Sequence, residues 1–432
     1  MPIPWNCPSF IGLRIAFKCI IFRQNVPGGN MKRLAIHLGF LSTCFIVGGA
    51  PVGFAQGQST ALVRIAASEI PTSGMDDADQ GSFEAGSREG LKQALTRQLE
   101  QCQDAKEVWN FAGKKITQKR WCTDTANWFL SKLATVNSLD ELLALARTEL
   151  EWYRSTGKPD SGEVQFTGYF NPIHKAKSKR EGAYQYPIYR LPPDIRKPYF
   201  TREEIEKGVL AGKGLELAWL DNPVDPFIMQ VQGSGTILMD QGDGKEVRLN
   251  INYAGENGHP YVSLGKVMRA AGIPEEYISL QGIRKYFLEV RPEEWSKFSN
   301  QNPSFVFFKQ DADGPYGYSG AILTPKHSIA VDKSIFPMGA IGLIRTERPS
   351  VVSGDQAVAW KQFTQFIVAQ DTGGAIKTPG RVDVYWGEGA YAEVAAGRTD
   401  RLGNLYFMLV PSNKRKLSTR SRIARVPRSG RH

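Results

Sequence analysis

Residues 369–389 read AQDTGGAIKTPGRVDVYWGEG. An apolar run, Phe366–Gln370, leads into Asp371, and the pair Gly373-Gly374 follows. Two adjacent glycines make a turn in which backbone approaches a neighbour or ligand closely. Arg381–Tyr385 then alternates, with Val382 and Val384 on one face and Arg381, Asp383 and Tyr385 on the other. That is the period of a strand with one apolar side. Aspartate is poorly suited to mid-strand, so Asp383 sits either on a solvated edge or in a groove where its carboxyl is used. Strand, glycine turn, strand, with acids at Asp371 and Asp383, predicts a β architecture that carries its chemistry on strands and their ends. Asp332, in AVDKSIFPMG (330–339), likewise ends a short apolar run and precedes a turn.

Outward from there the pattern repeats. Val164–Phe170, Phe227–Val231, Val247–Tyr253, Phe305–Lys309, Ser328–Val331, Ile341–Arg345 and Leu405–Val410 are short β-branched or aromatic runs separated by Gly and Pro. They predict strands, so the body is mainly β within an α+β chain. If 227–231 is a strand, Gln230 and Gln232 share a face, and their amides suit sugar hydroxyls as donor and acceptor at once. Gln232-Gly233-Ser234-Gly235 lacks the lysine and third glycine of a phosphate loop and reads as a tight β turn. Helical spacing interrupts at 262–298. Residues 87–153 read as helices, with Leu91, Leu95 and Leu99 in register and Ser138–Glu141 as a capping box. Residues 57–86 read as a linker.

The chain has 432 residues, enough for two or three domains, and its 41% hydrophobic and 22% charged content is that of a folded protein. The formal charge of +11 is misleading. Residues 1–55 hold five basic side chains and residues 412–432 hold eight, neither stretch containing an acid, so the body is close to neutral. A nucleic-acid-binding core is not indicated. Met31-Lys32-Arg33, an apolar stretch from Leu34 to Val47, and small residues up to Ala55 have the form of a secretory signal, with translation expected from Met31. Leu41-Ser42-Thr43-Cys44 only loosely follows a lipobox, since Thr43 is a poor residue before a lipidated cysteine. Cleavage after Ala55 leaves Cys102 and Cys122, either one disulfide or two buried thiols. His174, His259, His327 and His432 have no ligand spacing, so no metal site is expected. The basic tail, 412–432, reads as disordered.

Several segments in one order resemble the membrane-bound lytic murein transglycosylase A family (glycoside hydrolase family 102). They are FTGYFNP (166–172), YQYPIYRLP (184–192), FIMQVQGSG (227–235), YAGENGHPY (253–261), NPSFVFFK (302–309), AVDKSIFPMG (330–339) and 369–389. The C-terminal part resembles the 3D domain, named for three aspartates, which map onto Asp332, Asp371 and Asp383. The resemblance implies a double-psi β-barrel interrupted by a smaller β domain. Its implied boundaries are a leader over 1–55, helices and the first part of the barrel over 57–172, the insert over 173–301, the 3D domain over 302–411, and the tail. It further implies cleavage of the β-1,4 bond between N-acetylmuramic acid and N-acetylglucosamine in peptidoglycan with 1,6-anhydro ends, by an exported, monomeric exotransglycosylase that uses no cofactor.

By the same resemblance Asp383 is the catalytic acid and Asp371 supports it. Thr167, Tyr169, Gln230, Gln232, Ser234, Tyr253, Asn257, Lys309, Asp332, Gly373, Gly374 and Lys377 are the substrate-binding candidates, the lysines facing muramyl carboxyls. Partners are glycan strands. The basic tail is not a feature of the family; its charge suits holding the enzyme near anionic wall or outer membrane, the alternative being an unselected disordered end. Two alternatives stay open: a non-catalytic wall-binding module, and an inverting glycoside hydrolase with Asp371 as its second carboxylate.

Overall fold

Two sheets hold nearly every strand of the computed structural model, which describes residues 61–75, 87–102, 107–240, 245–354 and 356–412. The first part of the chain supplies β1 (Leu62–Ile65), α1 (Ser87–Gln101), the hairpin β2 (Val108–Phe111) and β3 (Lys114–Thr117), α2 (Thr125–Leu133), α3 (Leu139–Glu149), β4 (Glu151–Ser155) and β5 (Val164–Tyr169). The middle supplies β6 (Ile173–Lys177), β7 (Tyr186–Tyr189), α4 (Arg202–Glu206), β8 (Glu216–Leu220), α5 (Val224–Gln232), β9 (Ser234–Asp240), β10 (Glu246–Glu256), α6 (Leu264–Ala270), α7 (Leu280–Lys285), α8 (Trp295–Ser299) and β11 (Val306–Asp311). The last part supplies β12 (Ser328–Ala330), β13 (Ile341–Ser353), β14 (Gln356–Asp371), β15 (Arg381–Tyr385), α9 (Ala390–Arg398) and β16 (Arg401–Leu409).

In the first sheet the order is β1-β4-β16-β13-β14-β12-β15-β5, and β16 pairs again with β5. Six strands, β16 through β5, therefore close into a barrel, with β4 and β1 added outside. The pairs β12–β14 and β15–β5 are parallel. β14 shows why the barrel holds. Phe363, Ile367 and Ala369 point inward to a core shared with Phe166, Ile329, Val382, Val384 and Phe407. Phe366 and Val368 point outward, against Leu91, Leu95, Phe129 and Leu142 of α1 to α3. Both faces are apolar because both are covered. A disulfide joins Cys102, after α1, to Cys122, before α2. Trp121 Nε1 donates to the Met338 carbonyl at 3.1 Å, so this helical layer grips the loop that follows Asp332.

The second sheet, β11-β10-β9-β6-β8-β7, is built from the chain between β5 and β12. One face carries Ala176, Ile188, Leu220, Ile237 and Phe308, and Met229 of α5 packs against them. A helical cap packs separately around Val224, Phe227, Met268, Phe287 and Trp295.

Some expectations are corrected. Phe227–Val231 is helix α5, not a strand, with Asn222 accepting from the first-turn N–H groups of Val224 and Asp225. Gly233 is not a hairpin turn but the left-handed C-cap of that helix, at φ 81°. The linker region includes β1, which pairs antiparallel with β4. The stretch read as wholly helical contains β2, β3 and β4. β11, expected to follow a return to the barrel at Asn302, pairs instead with β10 in the second sheet. The signal segment, Met31, Cys44 and the tail from 413 onward lie outside the described residues. None of the described helices is long and apolar enough to cross a membrane.

Candidate active site

Val382 and Val384, fully buried in the barrel, fix the facing of β15 and so turn Arg381 and Asp383 the other way. The parallel partner β5 sets Thr167 opposite Asp383 and Tyr169 opposite Tyr385. The Thr167 hydroxyl donates to Asp383 Oδ1. Arg381 Nη2 donates to Thr167 Oγ1 at 3.2 Å and lies 3.9 Å from Asp383 Oδ1. The Asp383 side chain is 20% exposed. Its enclosure pushes the carboxyl up to about 6; Arg381 opposes the shift and the nearby Asp371 carboxylate adds to it.

Asp371 ends β14 beside this pair. Burial raises its carboxyl above the ordinary range, against backbone donors Thr372 N–H at 2.8 Å and Tyr318 N–H at 3.0 Å on Oδ1. The Tyr169 hydroxyl is enclosed, has no hydrogen bond of good geometry, and is raised well above 10 by burial and then by Asp371. Asp332, the third aspartate, has another fate. Its Oδ1 accepts from Ser334 N–H at 3.0 Å and Ser334 Oγ at 2.6 Å, and its Oδ2 from Thr378 N–H at 3.0 Å. Burial alone would raise Asp332, but these donors, with Lys377 nearby, bring it below the ordinary value. Asp332 thus ties the loop after β12 to the loop before β15. One of the three acids is poised to carry a proton near neutral pH; another is held ionised.

The second sheet meets this site through the loop after β10. A Cβ added to Gly374 would lie 4.0 Å from Tyr261 Cβ, with Gly373 packing on Ile376. Burial raises the Tyr261 hydroxyl; Ser263, Arg202 and Arg381 oppose that, and Asp383 adds to it. Tyr261 therefore faces the Arg381–Asp383 pair from across the junction. Sequence reading gave it no role, because only tertiary placement brings it there. Arg381 was legible as sharing a face with Asp383, two residues away.

The remaining candidates divide. Gln232 Oε1 accepts from Phe170 N–H at 3.0 Å, and Ser234 Oγ donates to Asn171 Oδ1 at 2.9 Å, so both stitch the second sheet to the end of β5. Asn171 and Arg248 both reach Glu388 in the same junction, at 3.3 and 2.7 Å. Gln230 is buried, accepting from Arg202 Nη2 at 2.6 Å. Asn257 is fully buried, donating to the Phe200 and Pro303 carbonyls at 2.9 and 2.8 Å. Tyr253 is 49% exposed on β10. Lys309, beside Asn252 on β11, pairs with Asp311 at 3.0 Å. Lys377 is exposed on the loop before β15. Among the described residues no group of three or more His, Cys, Asp or Glu is placed to hold a metal ion.

A family model described as the MltA specific insert domain matches residues 165–309, and one described as the 3D domain matches 327–409. Membrane-bound lytic murein transglycosylase A of Vibrio cholerae is 37% identical over 264 residues, 61% of this chain and 70% of that protein. Its Escherichia coli K12 counterpart is 38% identical over 261 residues, 60% of this chain and 69% of that protein. The crystal structure of E. coli MltA with bound chitohexaose superposes with a TM-score of 0.62 at 29% identity, covering 82% of this chain and 96% of that one. An Agrobacterium tumefaciens membrane-bound lytic murein transglycosylase shares the fold, at a TM-score of 0.64 and 23% identity over 81% of this chain and 98% of that one. Matching both family models, and 37–38% identical to these relatives over 69–70% of their length, the chain belongs to the membrane-bound lytic murein transglycosylase A family.

Proposed function

We propose that this lytic transglycosylase cleaves the β-1,4 bond between N-acetylmuramic acid and N-acetylglucosamine and closes a 1,6-anhydro ring, with Asp383 as general acid and then general base. The observation that carries this reading is the placement of Asp383: it turns away from the barrel core to meet Thr167, Arg381 and Tyr261, and its carboxyl is raised to about 6, whereas Asp332 is held below the ordinary range. Protonated Asp383 donates to the leaving glycosidic oxygen as the bond to C1 breaks. The C6 hydroxyl of the same muramyl residue then attacks C1 and gives its proton to the Asp383 carboxylate. The acid is restored and no water is consumed. An inverting hydrolase needs a second carboxylate about 6.5–9.5 Å away, free to activate water. Asp371 is the obvious second acid, but its Oδ1 is taken by two backbone donors.

Thr167 contacts the acid directly, Tyr169 and Tyr261 face it, and Gly373 and Gly374 stand beside Tyr261 as candidates for close backbone approach; the relative with chitohexaose bound supports a glycan as the ligand. Tyr253, Lys309 and Lys377 are the exposed candidates for more distant sugar or muramyl carboxyl contacts. Gln230, Gln232, Ser234, Asn257 and Asp332 serve by holding the groove's walls. The signal-like segment and the relatives' names support export to the cell envelope.

The test is mass spectrometry of muropeptides after digestion of purified murein with the chain, beside Asp383→Asn. Products lighter by one water than the hydrolysed ones, from wild type only, are expected. The variant should lose roughly 10²–10⁴-fold in rate. Reducing-end products would establish a hydrolase instead, and binding without turnover a wall-binding module.

A further inference from the structure

We propose that Arg381 is a positioning residue that acts through Thr167 to determine which oxygen of Asp383 carries the catalytic proton. The inference rests on the reading of Asp383 as the acid. A threonine hydroxyl has one hydrogen to give and lone pairs to accept with, whereas a guanidinium only donates. Arg381 Nη2 meets Thr167 Oγ1 at 3.2 Å, so the hydroxyl accepts there. A hydroxyl that accepts from a cation is a stronger donor and a poorer acceptor, so its single hydrogen goes to Asp383 Oδ1, the oxygen it contacts, where the Arg381 charge 3.9 Å away also favours the ionised form. A proton on Oδ1 would meet that hydrogen head-on. The acid proton therefore resides on Oδ2. Arg381 stands 3.9 Å from Oδ1, too far for a hydrogen bond of its own, so its directional influence passes through the hydroxyl.

Register makes this arrangement. The parallel pairing of β15 with β5 sets Asp383 beside Thr167 and Arg381 beside Gln165, one diagonal step from the hydroxyl. A second observation agrees. Arg381 Nε is buried with no hydrogen-bond partner. An enclosed donor left unsatisfied is unfavourable for folding, so stability does not account for the guanidinium lying where it does. Without Arg381 the hydroxyl is the better acceptor and Oδ1 loses its nearby cation, so a proton on Oδ1 bonded to Thr167 becomes favourable. That proton would then be held inside the strand pair instead of being offered to the glycosidic oxygen.

The experiment measures kcat, KM and the pH profile of anhydro-end release for wild type, Arg381→Met, Arg381→Lys, Thr167→Val and the double variant Arg381→Met/Thr167→Val. The charged and titratable groups facing Asp383 are Arg381 on its own strand, Asp371 from β14, Tyr169 from β5 and Tyr261 from the second sheet. Only Arg381 changes charge in these variants. Arg381→Met should lower kcat about ten- to a hundredfold, a part of the general-acid contribution, with KM little changed. Its alkaline limb should move to higher pH, because the cation that opposes the raised carboxyl is gone. Arg381→Lys should return the limb toward wild type and recover part of kcat. Thr167→Val should lower kcat similarly, and adding Arg381→Met to it should lower kcat little further. Multiplicative losses in the double variant, or a wild-type kcat in either single variant, would overturn the proposal. Thr167→Val is nearly isosteric, so it and Arg381→Lys carry the test if Arg381→Met does not fold. Release of reducing ends by wild type would sink the proposed function alone, and the same kcat comparison on that product would still decide this inference; no turnover by wild type would sink both.

Discussion

Asp371 and Arg381 act on Asp383 with opposite signs. Asp371 adds to a shift begun by burial, and Arg381 opposes it. Under the proposed mechanism the protonated form starts the reaction, so the rate should fall as pH rises through about 6. Asp371→Asn removes a neighbouring negative charge, and the alkaline limb of the pH–rate profile should move to lower pH, opposite to the shift from losing Arg381. An unmoved limb would mean that Asp371 is neutral in the working enzyme. Gln230 illustrates the opposite kind of residue. It accepts from Arg202, a buried guanidinium that also bonds the Asn302 carbonyl at 3.0 Å and the Ser304 carbonyl at 2.7 Å and stacks over Phe227. Gln230→Ala leaves a buried donor without its acceptor and should cost about 1–3 kcal/mol in denaturant unfolding, with KM for murein unchanged.

Strand β5 shows how an element's packing reaches the chemistry. Between Thr167 and Tyr169 stands Gly168, where a Cβ would lie 2.4 Å from Trp386 Nε1 and 3.0 Å from Ala396 Cα of α9. Gly168→Ala should lower stability by about 1–3 kcal/mol and reduce kcat through the displaced Thr167. A drop in melting temperature with full activity would show that the strand absorbs the strain elsewhere. The same elements show what was legible in sequence. Arg381–Tyr385 is a strand over the residues expected, because strict alternation with two valines has one good solution. α5 was misread because Phe227, Ile228, Met229 and Val231 form an apolar run too short to show its period, and burial of nearly the whole helix removed the polar face that would have revealed it. The hairpin β2–β3 carries Lys114 and Lys115 and little apolar pattern. Asp383 was legible as an acid out of place in a strand. Tyr261 and the Thr167–Arg381 contact were not, since each depends on chain segments brought together from far apart.

At the scale of the whole molecule, the Cys102–Cys122 bridge closes a loop of 20 residues and packs into the core shared with the barrel interior, beside Gly339. Such a loop contributes about 3 kcal/mol. Cys122→Ser, or reduction of the native chain, should shift the denaturant midpoint down by a corresponding amount. A cystine in this position also agrees with an oxidising compartment. Equal midpoints with and without reductant would mean that the helical layer holds itself on the barrel by its apolar contacts alone.

The barrel seam has a temporal consequence. β5 lies between β15 and β16, and Thr167 and Asp383 are 216 residues apart in sequence. Neither of β5's barrel neighbours exists until the ribosome has passed Asp383, and closure waits for Arg401–Gly403 to be made. Contacts this distant form late and slowly. A nascent chain therefore holds its hydroxyl but no acid, and a chain threaded unfolded through a translocon holds both but unassembled. A murein-cutting enzyme of this topology is silent during its own synthesis, and its activity begins only where the complete polypeptide first folds.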